Sequence, residues 1–96
     1  MSGRVIEHSG GYRALTQKLM AAADELCDGR IVMCHEGGYN APTVPFFALA
    51  VIEELSGEQS GVEDPFLELM AGLGGQELQP HQEEAIRRAE SMLANL

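Results

Sequence analysis

Ninety-six residues leave room for one small domain, near the lower limit at which a chain buries a core of its own. An apolar fraction of 45% belongs to a folded chain rather than a disordered one, and a formal charge of −9 with only six Lys and Arg excludes the clustered basic surface that nucleic acid requires. No apolar run is long enough to span a membrane, and the opening MSGRVIEH lacks the basic-then-apolar order of a signal peptide, so the expected setting is a reducing cytoplasm.

Val5 and Ile6 define no element. From Ser9 a helical period begins, with Tyr12, Leu15, Leu19, Ala22, Ala23 and Leu26 recurring at three- and four-residue steps. Ser9 is a suitable N-cap and Asp28-Gly29 a suitable stop. Ile31 to Cys34 is a continuous apolar run, too short for a helix and bounded by Gly29 and by Gly37-Gly38. That pattern predicts a strand covered on both faces, as in a parallel sheet, with Cys34 as a small buried thiol. Thr43 caps a further predicted helix, with Pro45 in its first turn and apolar residues almost all round from Val44 to Ile52, ending at Ser56-Gly57. After the polar loop SGEQSGVEDP, a short helix carries Phe66, Leu67, Leu69 and Met70 and stops at GLGG. The last helix starts near Pro80 and aligns Ala85, Ile86, Ala89, Met92, Leu93 and Leu96, with Glu83–Arg87 and Glu84–Arg88 in the favourable four-residue order. A lone strand cannot satisfy its own backbone, so this pattern reads as a piece of a larger α/β sheet.

The chemistry concentrates at His35-Glu36-Gly37-Gly38-Tyr39, just beyond the predicted strand, where open α/β sheets bind ligands. Paired glycines leave bare backbone, and a tyrosine hydroxyl protonated at neutral pH donates to a developing oxyanion. The plainer alternative is a tight turn in which the glycines take positive φ and Tyr39 packs by its ring; composition alone favours it. Glu36 is either a general base or an anchor for the loop. His35-Glu36 is not a HExxH zinc motif, because position 39 is Tyr, and His8, His35 and His81 lack metal-ligand spacing. Cys27 and Cys34 form no CxxC pair, although a disulfide between them is conceivable.

Residues Asp28 to Asn40 resemble the C-terminal part of zinc-dependent histone deacetylases, closest to the class II branch and the bacterial histone deacetylase-like amidohydrolases of the acetylpolyamine amidohydrolase superfamily. SGGYRALTQKLMAAADELCDG is similar to the helix before that family's last catalytic strand, and VPFFALAVIEELSG and LQPHQEEAIRRAE to the helices that follow. The resemblance implies an α/β chain: the C-terminal segment of an open parallel-sheet (arginase-like) fold, mostly helical, with one buried strand near residues 30–35. On that basis residues 1–96 form a partial deacetylase-like domain without its zinc-binding portion, a truncated product or a fragment.

The same resemblance implies a hydrolase of acetyl-lysine or acetylated polyamines. Tyr39 takes the position of the family tyrosine that donates to the acetyl carbonyl oxygen, and Gly37 and Gly38 take the position of the glycines that leave room for the acyl group. Zinc belongs to the complete family domain; none is expected on this chain alone, where nothing matches the metal ligands or the tandem histidines. Gly10 also stands where an acidic residue is commoner in the family. The expected partners are the acetylated substrate and the missing sheet or a second copy, with no nucleic acid and no membrane. The competing function class is a non-catalytic acidic helical interaction module derived from the same fold; a third, an independent metal hydrolase built on His35 and Glu36, has little in the sequence to carry it.

Overall fold

A computed structural model describes residues 8–73 and 77–96; the sequence features at Val5, Ile6, Gly74 and Gly75 lie outside them. In chain order the helices are α1 (Ser9–Cys27), α2 (Val44–Ser56), α3 (Leu67–Ala71) and α4 (Pro80–Leu93). Helix α1 begins one residue earlier than a Ser9 cap would place it. His8 is the N-cap, and its Nδ1 accepts from the Gly11 N–H at 3.1 Å. Asp28 closes the helix in the left-handed region, its N–H directed to the Ala23 carbonyl. Thr43 precedes α2 without a side-chain cap bond, and Gly57 ends that helix at φ 73°. The Gln79 N–H donates to Gln82 Oε1 at 2.8 Å at the start of α4.

The α/β expectation is overturned. The described residues contain no strand, and 29 to 40 run from α1 to α2 without helix or ladder. Val32 is 87% exposed and Cys34 is exposed rather than a buried thiol. The physical reason is the one the apolar run already carried: four apolar residues form a strand only against a neighbouring strand, and the described residues supply none.

Burial is concentrated where α1 meets α2, the packed helix pair of the structure. The face of α1 that packs is not the leucine stripe. Ser9, Thr16 and Ala23 are its buried positions, seven residues apart, while Leu15, Leu19 and Leu26 remain open to solvent. Small side chains let the backbones approach, and Tyr12 reaches across to stack on Phe47, with ring centroids 4.8 Å apart at 14°. On α2 the matching positions are Ala50, 1% exposed, and Glu53. Helix α2 is therefore covered on one side rather than on most sides, with Ile52 and Leu55 exposed. Phe66, just before α3, meets Phe46 edge-on at 6.0 Å. Residues 80–96 are exposed throughout, so the apolar stripe of α4 is uncovered; of the two paired charges expected there, Glu83–Arg87 forms at 2.7 Å.

Candidate functional site

The loop before α2 is built from glycine conformations. Gly37 lies at φ 69° and Gly38 at φ 94°, a region that side-chain-bearing residues adopt only with strain. Gly38 is also sterically confined: a β-carbon there would stand 3.1 Å from both Val44 γ carbons and 3.3 Å from His35 Nε2. Gly37 has no such crowding, its added carbon meeting only the Tyr39 ring at 3.8 Å. Beyond the tyrosine, the Asn40 carbonyl accepts from the Thr43 N–H at 3.1 Å and the Val44 N–H at 3.0 Å, which turns the chain into α2. Thr43 is buried, and its hydroxyl reaches the same carbonyl at 3.4 Å.

Tyr39 emerges from this turn with 99% of its surface exposed. The plain-turn alternative is thus half realised: the glycines do take positive φ, but the tyrosine does not pack by its ring. A cavity of about 430 Å³ opens beside the loop, lined by Cys34, His35, Gly37 and Gly38 on one side and by Tyr12, Phe47 and Val51 among others. Tyr39 does not line it. Glu36 is exposed and makes no anchoring bond among the described residues.

Over 65 residues the chain is 52% identical to a histone deacetylase-like amidohydrolase of Pseudomonas aeruginosa. The match takes in 65% of this chain and 17% of that amidohydrolase, so the chain spans about a sixth of the relative's length. No protein-family profile matches.

The deacetylase resemblance implies a zinc site in the complete family domain. Among the described residues no three His, Cys, Asp or Glu side chains come together as a metal site requires, so these residues do not fit a zinc centre.

Sequence reasoning missed a polar cluster that ties α2 to α1. Arg13 Nη2 donates to Glu53 Oε2 at 2.6 Å and Nη1 to Glu54 Oε1 at 2.9 Å. Glu53 also accepts from the Ser60 hydroxyl and, at 2.9 Å, from the Ser60 N–H. The Ser60 hydroxyl first, then Arg13, hold the Glu53 carboxyl down at about 2, and Arg13 followed by Gln17 lowers that of Glu54. The two carboxylates in turn raise the Arg13 guanidinium above its ordinary value. A signal for the cluster did exist in the sequence. Glu53 falls three residues after Ala50, on the face of α2 that Phe46 and Phe47 begin, and a carboxylate on a packed face calls for a cation.

Proposed function

We propose that this chain supplies the tyrosine-bearing segment of an amide hydrolase that removes acetyl groups from acetyl-lysine or an acetylated polyamine. Tyr39 acts as a neutral donor to the carbonyl oxygen as it gains negative charge. Gly37, where an added β-carbon meets nothing closer than 3.8 Å, leaves space for the small acyl group, whereas at Gly38 the Val44 γ carbons fill that place. The observation that carries the reading is the presentation of Tyr39: a hydroxyl held clear of its own fold on a positive-φ glycine turn, in a chain half identical over 65 residues to a deacetylase-like amidohydrolase. Any catalytic metal would be held outside the residues described here. Two exposed free thiols suit a reducing compartment such as the cytoplasm.

The experiment is a graft. The matching residues of the Pseudomonas aeruginosa amidohydrolase are replaced by those of this chain, and hydrolysis of an acetyl-lysine substrate is compared with and without Tyr39→Phe. The substitution keeps the ring and removes the donor. A fall in kcat of roughly 10²–10³-fold, with KM changing less, is the expected result for loss of one oxyanion donor. Unaltered turnover sinks the catalytic role.

The uncovered stripe of α4, with Ile86, Met92 and Leu93 exposed, favours a second reading as a non-catalytic helical interaction module. An inert graft in which Tyr39→Phe also changes nothing would favour that alternative.

A further inference from the structure

We propose that Val44, the first residue of α2, is the positioning residue that fixes the backbone from which Tyr39 projects; the catalytic consequence rests on the reading of Tyr39 as the oxyanion donor. A side chain that is 99% exposed has no surrounding packing to aim it. Its direction must come from the main chain, yet the two residues before it are glycines, the most conformationally permissive of all.

Both neighbours of Tyr39 are held by one residue. The two γ carbons of Val44 close the space over Gly38, where an added β-carbon would come within 3.1 Å of each. The Val44 N–H donates at 3.0 Å to the carbonyl of Asn40. Val44 thus walls off the residue before the tyrosine with its side chain and bonds the residue after it with its main chain. Behind it, α2 is fastened to α1 by the Tyr12–Phe47 stack and by Arg13 on Glu53 and Glu54. Rigidity passes from the packed helix pair through Val44 to the tyrosine. Such support matters because a donor displaced by about 1 Å from its productive place forfeits about 10²-fold in rate.

The test uses the full 96-residue chain with Val44→Ala and Val44→Thr. The alanine removes both γ carbons, keeps the N–H and does not weaken α2, since alanine is the better helix former. The threonine keeps the branched shape. Backbone ¹⁵N relaxation is read at Gly38, Tyr39 and Asn40, together with the Cα shifts of α2. In Val44→Ala the loop order parameters should fall from about 0.85 toward about 0.6 while the α2 shifts hold, and Val44→Thr should retain the wild-type values. Unchanged loop order in the alanine variant overturns the proposal. So does an equal loss in the threonine variant, or a loss that occurs only together with the α2 shifts.

In the grafted amidohydrolase, Val44→Ala should lower kcat about tenfold or more with KM little altered, and Val44→Thr should restore it. If Tyr39→Phe is inert there, the reading of the tyrosine fails while the relaxation data still judge the anchor. If Tyr39→Phe is impaired and Val44→Ala is not, the anchor alone fails.

Discussion

Removing the guanidinium of Arg13 tests whether the α1–α2 contact is held by charge as the geometry indicates. Arg13→Met keeps the apolar stem and deletes the bonds at 2.6 Å to Glu53 and 2.9 Å to Glu54. The Glu53 carboxyl sits at about 2, against an ordinary 4.5, and the bonds that lower it come from the Ser60 hydroxyl, from Arg13 and from the Ser60 N–H. Arg13 supplies both a hydrogen bond and a nearby positive charge, so with it gone the midpoint should climb back toward 4.5. Ser60→Ala removes the largest single hydrogen bond and should raise it as well. Glu54 should also rise, because Arg13 is its chief partner.

The direction of the stability change follows from the same values. A carboxyl whose folded pKa lies below its unfolded one binds protons more readily when unfolded, so acid favours unfolding. The stability that Glu53 contributes is fully present above about 4.5 and is lost as the pH falls toward about 2. The assay is side-chain carboxyl ¹³C NMR from pH 7 downward, run alongside helicity by circular dichroism. In Arg13→Met the acid loss of helicity should begin from a less stable state, and the Glu53 transition should move upward in pH. A wild-type Glu53 that titrates at 4.5, or one unmoved by Arg13→Met, refutes the reasoning.

Two further substitutions probe packing and backbone strain. Ala50→Leu forces a larger side chain into a site 1% exposed and should destabilise the helix pair by about 1–3 kcal/mol in urea unfolding, whereas Ala50→Gly should lose only about 1 kcal/mol of helix preference. A harmless leucine would mean that α1 and α2 do not pack as described. Gly57→Ala meets nothing within 4 Å, so at φ 73° it should show the bare left-handed penalty of about 1–2 kcal/mol. Gly38→Ala combines that penalty with the Val44 contact and should disturb its own loop more, read by chemical-shift changes at residues 35–44; an equal or smaller disturbance than at Gly57 would remove the steric case for Val44.

The helices were legible because their signals are local. The three- and four-residue recurrence from Tyr12 onward, Pro45 in a first turn and glycine after Ser56 each act within a few residues of themselves, and α1, α2 and α4 lie where those signals put them. What the periodicity could not decide was which side of α1 would be buried. Leucines 15, 19 and 26 form the apolar stripe, but the face that packs is set by how closely α2 can approach, and Ser9, Thr16 and Ala23 permit the closer fit. Ile31 to Cys34 misled for a related reason: strand formation depends on a partner, and composition cannot supply one. Arg13 and Glu53 stand 40 residues apart, so no local pattern joined them. The positive φ of Gly37 and Gly38 was foreseeable from residue type, whereas Val44 read simply as one more apolar residue at a helix start.

Tyr39 sharpens the chemical argument. An oxyanion donor is effective where water is excluded, since in water the same hydroxyl exchanges one hydrogen bond for another at little net gain. At 99% exposure the Tyr39 hydroxyl in this chain competes with solvent. On the proposed reading, what the chain contributes by itself is aim rather than catalytic strength: a glycine turn walled by Val44 and carried on two helices joined through Arg13. In the proposed hydrolase, strength arrives when further protein covers the tyrosine and dries its surroundings. The open leucines of α1 and Val32, 87% exposed beside the same loop, are apolar surface on which such a cover would gain burial. A covered Tyr39 should then be more sensitive to Tyr39→Phe than any measurement on the chain alone could register, because only there does the lost bond oppose a developing charge in a dry site.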